Sequence, residues 1–395
     1  VSRLLALLLA AMISAPASAL AAQRYAIGLV TIGPGPIYWQ RFGHNAILVE
    51  DTRRKTSTLY SYGFFDFAQK NFFWRFVRGA MQYEMDGLPA RYDLARYVEE
   101  GRSIRLQMLN LSPAQATQTA EFLEWNRDPK RRAYPYDYFL NNCSTKVRDL
   151  LDQVLKGQLK RELIGRSRGL TWRMHVLRSL ADDLPLWSAL HLGLGQPADD
   201  ALSLWDEAFL PERLSVSLRE IRVVQDGETV ALVNAERMLS DGAYAAPPDY
   251  APDRLWLALA LGLLLAGGAV LMMRKAPRAW PTRALTSAWL LLTGLAGCVL
   301  LGLGFLTAHH MAWPNENVLI MSPLAVLLLV FYRPALRRRL WQLLAASTLV
   351  AIMIQWLPAF SQANGEVLAF FAPTQLVLAF FAIRQSASKP MRPVT

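Results

Sequence analysis

Residues 141–157, NNCSTKVRDLLDQVLKG, hold a helix that begins at a cysteine. Val147, Leu150, Leu151, Val154 and Leu155 recur at helical spacing, and the run stops at Lys156-Gly157, a cationic last turn followed by glycine. Spacings of four, seven and eight put Cys143 on the face of Val147, Leu150 and Leu151, so the helix packs inward with the sulfur at its amino end. Unpaired N–H groups and the helix dipole there are expected to favour thiolate over thiol. The same N–H groups suit an oxyanion. The chain has two cysteines, and the other, Cys298, lies in an apolar segment, so the domain around Cys143 has no internal disulfide available to it. A lone cysteine is often only a small buried hydrophobe, and its place at a helix start is what marks this one.

Upstream, Tyr25 to Ile32, His44 to Glu50 and Ser57 to Tyr62 read as strands, with the Gly33 to Pro36 loop between the first two. Ser103 to Leu109 alternates as a further strand. A helix then opens on Ser112 as cap, Pro113 in the first turn and Gln115 three residues after the cap. Ser215 to Val224 and Thr229 to Val233, joined through Gln225-Asp226-Gly227, read as a hairpin, and residues 160 to 212 as helical and irregular. A thiolate nucleophile calls for an imidazole, and this part of the chain offers His44, His175 and His191. His44 follows Phe42-Gly43 and opens a strand, on one side with Ala46 and Leu48, which makes it the best-placed base. Tyr62, Asp137 and Asn142 are candidates for orienting the imidazole or supporting an oxyanion, although Tyr62 and Asp137 equally suit core and turn roles. Arg41 and Arg148 are candidate phosphate binders. The aromatic run Phe64, Phe65, Phe67, Phe72, Phe73, Trp74 and Phe76 suits either the core or lipid.

The chain has 395 residues, of which 18% are charged against roughly 25% in soluble proteins, and 53% are hydrophobic. The apolar surplus is concentrated in residues 255 to 383, which excludes both a purely soluble enzyme and a bare membrane bundle. Arg3, the apolar run Leu4 to Ile13 and Ala17-Ser18-Ala19 make residues 1–22 a signal peptide, so the following domain is expected outside the cytoplasm. Five segments suit membrane crossing: Leu255 to Met273, Ala284 to Thr307, Val318 to Tyr332, Leu340 to Pro358 and Val367 to Ile383. Crossing five times from outside puts Arg274, Lys275, Arg278 and Arg283, then Arg333, Arg337, Arg338 and Arg339, then Arg384, Lys389 and Arg392 in the cytoplasm. The intervening loops carry no Lys or Arg. These eleven residues account for the net charge of +11 without nucleic acid. The expected domains are 23–241 extracytoplasmic, with a core of about 25–160 and an accessory part 161–241, a Pro- and Ala-rich linker 242–254, and a transmembrane domain 255–395 with the carboxyl end inside. No metal-ligand set, phosphate-binding glycine loop or cofactor motif stands out.

A histidine on an early strand and a cysteine in an Asn-Cys pair at a helix start is similar to the circularly permuted papain-like fold of the lecithin:retinol acyltransferase and NlpC/P60 superfamily. More closely, Phe42-Gly43-His44-Asn45, Tyr60-Ser61-Tyr62-Gly63-Phe64-Phe65-Asp66-Phe67 and the stretch Tyr134 to Asp149 resemble the periplasmic domain of the Lnb lipoprotein N-acyltransferase family, over roughly residues 25 to 215. The membrane half resembles that family's in His309-His310, in Asn315-Glu316-Asn317 and in Pro323, and the polar residues His309, His310, Asn315 and Asn317 form a candidate membrane-face site or an ordinary polar turn.

The resemblance implies an α+β permuted papain-like extracytoplasmic domain followed by an all-α five-helix transmembrane domain in a bacterial inner membrane. It implies acyl transfer from a phospholipid or other acyl-lipid donor to the amino-terminal amine of lipoproteins, with Cys143 as nucleophile, His44 as base and no cofactor. Two other readings stay open: a cell-wall peptidase or amidase of NlpC/P60 type, against which a multi-helix anchor argues, and a non-catalytic membrane assembly factor with Cys143 in its core.

Overall fold

The computed structural model describes residues 23–225 and 227–387. The signal-peptide segment and the end of the carboxyl-terminal tail, with Lys389 and Arg392, lie outside them, as does Asp226 of the expected hairpin turn. The exported part is built on a seven-stranded antiparallel sheet, β6-β4-β3-β2-β1-β5-β9, formed by β1 (Tyr25–Ile32), β2 (His44–Asp51), β3 (Thr56–Phe64), β4 (Gln82–Pro89), β5 (Ile104–Leu109), β6 (Ala133–Pro135) and β9 (Val233–Ser240). Val233–Ser240 belongs by sequence to the accessory part, and it completes the same sheet beside β5.

Strand alternation divides the core. Ile27, Leu29, Ile47, Val49, Tyr60 and Tyr62 face the helices Pro113–Asn126 and Cys143–Val154, which contribute Ala116, Ala120, Leu123, Val147, Leu150, Leu151 and Val154. On the other face Val30, Ile32, Ala46, Leu48, Leu59 and Leu106 pack on Ala90 and Tyr97 of the helix Ala90–Glu99. The capping box at Ser112 and Gln115 forms as the spacing predicts. Leu155 closes the cysteine helix, and Lys156 and Gly157 follow in the left-handed region at φ 54° and 79°.

One sequence expectation is corrected. Ser215 to Glu220 is helical, because Pro211 opens a helix, Pro211–Glu220, whose Leu214 and Leu218 are buried. The hairpin is correspondingly shorter, β7 (Arg222–Gln225) with β8 (Glu228–Ala231). In the membrane half, three helices among the described residues are long and apolar enough to cross a bilayer by length and composition, within Leu255–Lys275, Trp280–Leu306 and Gly365–Ser386. Pro323 interrupts the third expected segment, leaving a 3-10 turn, Glu316–Leu319, and a seven-residue helix, Leu324–Val330. The fourth is a 20-residue helix, Pro334–Met353, with Arg337, Arg338 and Arg339 in its first turns.

These segments pack in two layers. Met273, Trp289, Leu328, Leu340, Trp341, Leu344 and Leu378 form one, and Leu300, Ile320, Met321, Ala351, Val367 and Leu368 the other, with Leu192 of the exported part against the second. Glycine permits the closest approach: a Cβ on Gly297 would stand 1.8 Å from the Met321 carbonyl oxygen. Gly297→Leu should therefore overpack this seam, at a cost of about 1–3 kcal/mol, and lower the melting temperature of the detergent-solubilised full chain. Gly302→Leu on the same helix, where nothing lies within 4 Å, should leave it unchanged. Equal melting temperatures for the two variants would contradict the packing.

Candidate active site

Asn142 starts the cysteine helix. Its Oδ1 accepts from the N–H groups of Ser144 and Thr145, both at 2.9 Å, and its Nδ2 donates to the carbonyls of Tyr138 at 2.8 Å and Phe209 at 3.0 Å. Both ends of the amide are thereby committed to main chain, so Asn142 fixes the helix start. Asp137 is likewise occupied: its Oδ1 accepts from the N–H groups of Phe139 and Leu140, each at 2.8 Å, in the turn that delivers the chain to Asn142. Tyr62 is buried against the cysteine helix and donates its hydroxyl to Asn126 at 2.8 Å. All three candidate orienting residues surround the cysteine helix or its approach, with their hydrogen bonds already assigned.

Asn45, next to His44 and fully buried, holds the helix to the sheet. Its Nδ2 donates to Ser144 Oγ at 3.0 Å and to the Pro211 carbonyl at 3.3 Å, while its Oδ1 accepts from Thr31 at 2.9 Å. The Asn45 main-chain N–H lies by the Cys143 sulfur, together with the N–H groups of Ser144 and of Cys143 itself. Gly63, at φ 107° where the β3–β4 register shifts, faces the cysteine; the left-handed backbone favours glycine there, and a Cβ would stand 4.0 Å from Cys143 Cβ, in ordinary contact.

His44 projects with Ala46 and Leu48, as alternation requires, toward the helix Ala90–Glu99, where its ring lies 6.2 Å from that of Tyr97. Its Nε2 is buried and has no hydrogen-bond partner. Arg102 is the residue that sequence reasoning passed over. It is buried, donates Nε to the Gly33 carbonyl at 2.9 Å, lies over the Tyr97 ring, and acts electrostatically on both His44 and Cys143. An arginine just before the alternating strand at residue 104 is its only sequence signal. The thiol and the imidazole thus lie on either side of Asn45, at the end of β2.

Burial pushes the Cys143 thiol up, outweighing the opposing pull of the Asn45 and Ser144 N–H groups, Arg102 and its own N–H. The expected preference for thiolate is therefore reversed: the favourable N–H groups are present, but loss of water is the larger effect. Burial first, then the positive charges of Arg102 and Arg96, bring the His44 imidazolium down to about 3. At neutral pH the resting pair is a thiol and a neutral imidazole.

The other candidates are dispersed. Arg41 pairs with Asp182 at 2.7 Å, and Arg148 donates to the Trp205 carbonyl at 2.9 Å beneath that residue's ring. His175 is buried with Glu207, at 3.8 Å. Asn315 and Asn317 donate to the carbonyls of Leu192 and Gly193 at 3.0–3.1 Å and engage Gln362 and Asn364, so they join the exported part to the membrane part. His191 joins the same seam through Glu366 at 3.2 Å. His309 bonds the Val77 carbonyl at 3.2 Å, and His310 is exposed. No group of three or more potential metal ligands occurs among the described residues.

Residues 15–182 match the family model for the Lnb N-terminal periplasmic domain, and residues 255–362 match that for the Lnb transmembrane domain. No curated protein and no solved structure matches the chain.

A protonated resting thiol has a kinetic signature. Alkylation of Cys143 by iodoacetamide, followed on its own peptide by mass spectrometry, should rise about tenfold per pH unit from pH 6 to pH 9, since thiolate is the reacting form. A plateau below pH 8 would mean a preformed thiolate and contradict this electrostatic balance. In a second test, Asn142→Ala should speed amide exchange at Ser144 and Thr145 about tenfold or more, since loss of such a cap costs about 0.5–2 kcal/mol and two buried carbonyls lose their donor. Unchanged exchange would remove Asn142 from the helix start.

Proposed function

The chain belongs to the Lnb family, and from that premise we propose that it is an acyltransferase that moves an acyl chain from a membrane lipid to the amino-terminal amine of lipoproteins through a thioester on Cys143. The observation that carries this reading is the setting of the thiol: it begins a helix among three main-chain N–H groups, at the strand end that bears His44. The antiparallel sheet with a cysteine helix on one face supports the permuted papain-like assignment.

The cycle requires His44, which faces the helix Ala90–Glu99 in the resting structure, to reach the thiol across the end of β2; its neutral imidazole then takes the Cys143 proton as the sulfur attacks an ester carbonyl, and the N–H groups of Asn45 and Cys143 receive the oxyanion. Collapse breaks the ester C–O bond. The leaving alkoxide recovers the proton from the imidazolium and departs as an alcohol, leaving the acyl chain on sulfur. A neutral amine then attacks the thioester, gives up a proton to His44, and the returning thiolate takes that proton as the amide forms. Uncharged resting groups suit this cycle because it begins and ends with a thiol and a neutral imidazole, and the acyl-enzyme between its two halves holds a thioester beside a neutral imidazole. Asn142, Asp137 and Tyr62 serve as positioning residues, and burial, aided by Arg102 and Arg96, keeps the imidazole unprotonated.

Both substrates reside in the bilayer, which gives the membrane half a purpose beyond tethering. The layer containing Leu340 and Met273 also contains Leu378, so Arg337–Arg339 stand toward the same end of the bundle as Arg274 and Arg384. This favours five crossings, with the short Leu324–Val330 helix and the Pro334–Met353 helix completing the set and the carboxyl end in the cytoplasm. Reporter fusions after Arg278 and Arg338 should then read cytoplasmic, and those after His310 and Ala363 extracytoplasmic. An extracytoplasmic signal at Arg338 would reduce the crossings to three.

Catalysis is tested with the full chain in lipid and a diacylglyceryl-modified lipopeptide, following a labelled acyl chain onto the amine. Cys143→Ala should abolish transfer, Cys143→Ser should be nearly as inactive because a hydroxyl is far harder to deprotonate, and His44→Ala should slow it about 100-fold or more. Undiminished transfer by Cys143→Ala would return the cysteine to a core role. Cleavage of peptidoglycan stem peptides without acyl transfer would establish the peptidase reading instead.

A further inference from the structure

The short helix Phe72–Arg78 presents Phe73 and Trp74 to the outside at 66% and 61% exposure, and Phe67 beside it at 62%. Arg75 and Arg78 are also exposed and have no ion-pair partner among the described residues. Three exposed aromatic rings thus stand beside two exposed arginines on one short segment. The helix's location supplies the explanation. Its end is fixed to the membrane half: Ala308 N–H donates to the Arg78 carbonyl at 2.8 Å and His309 bonds the Val77 carbonyl at 3.2 Å. Ala308 lies two residues beyond Leu306, the last residue of a 27-residue membrane-span candidate, so the helix is held at the level where that span leaves the bilayer. Aromatic rings favour that interfacial level, and arginines there meet lipid phosphates.

From this helix a series of ring contacts leads inward. Phe72 lies 6.0 Å from Phe65, Phe65 lies 5.0 Å from Tyr83, and Tyr83 stacks on Tyr136 at 4.1 Å. Tyr136 is within electrostatic reach of Cys143.

We propose that the helix Phe72–Arg78 is a phospholipid-binding element seated in the outer face of the bilayer, with Phe73 and Trp74 against acyl chains and Arg75 and Arg78 on the phosphate of a bound lipid. The cleft lined by Asn71, Trp74 and Arg78 is where that headgroup sits. Delivery of this lipid along the aromatic series to Cys143 rests on the acyl-transfer reading; the binding itself does not.

The test uses the full chain in nanodiscs of phosphatidylethanolamine and phosphatidylglycerol, with Trp74→p-benzoylphenylalanine activated by light and adducts read by intact mass. A one-phospholipid adduct is expected at this position and not with Trp125→p-benzoylphenylalanine, an exposed site (54%) on another helix. Adding Arg75→Ala and Arg78→Ala should cut the yield at least threefold. The proposal is overturned by absence of a lipid adduct, equal yields at the two positions, crosslinking to protein alone, or a yield indifferent to the arginines. Lipid adducts at Trp74 from a protein that never acylates Cys143 would leave this site standing and remove the proposed function.

Discussion

The buried amide of Asn45 is the interaction on which the rest of the site depends. It joins β1 through Thr31, the cysteine helix through Ser144, and the helix Pro211–Glu220 through the Pro211 carbonyl. A buried amide that lost one partner would leave a polar group unpaired, at about 1–3 kcal/mol, so the three elements are held in one arrangement. Its own N–H is then delivered to the sulfur, and its chain neighbour His44 to the far side of the strand. Asn142 completes the fixation from the helix side, with four main-chain partners for one side chain.

Fixation of this kind has an electrostatic consequence. Enclosing the thiol raises its proton affinity while enclosing the imidazole, beside two arginines, lowers its own, so the resting site carries neither a thiolate nor an imidazolium. A neutral thiol resists oxidation in an exported domain better than a thiolate would. In the proposed reaction charge develops only as a carbonyl arrives among the N–H groups, which is where preorganised donors contribute most to catalysis.

Much of this was legible in the sequence, and the misses have physical causes. The cysteine helix, the capped helix at Ser112 and the strand at His44 are specified by local periodicity and capping, interactions spanning a few residues. Ser215 to Val224 reads as a strand by composition, and the decisive signal was Pro211 at a helix start, four residues upstream. The apolar run from Val318 to Tyr332 hides its break at Pro323 because hydropathy averages over it. Asn315 and Asn317 resemble site residues because they are polar at a membrane face, yet their partners Leu192, Gly193, Gln362 and Asn364 lie 45 or more residues away, which no local pattern reveals. Arg102 was missed for the same reason: its surroundings are Tyr97, Gly33 and the His44 and Cys143 side chains, which only the fold brings near.

The polar seam at Asn315, Asn317 and His191, together with the Phe72–Arg78 helix on Ala308 and His309, holds the thiol domain against the membrane half at two separated points. Such docking is what the proposed reaction between two lipid-borne substrates requires, and the chemical core of that proposal is the thioester. The most direct test is intact-mass analysis of the wild-type chain held in phospholipid without an amine acceptor. An acyl adduct that maps to Cys143 and is released by hydroxylamine is the predicted result; an unmodified Cys143 after prolonged incubation, in a protein still able to transfer acyl chains once lipopeptide is added, would contradict it.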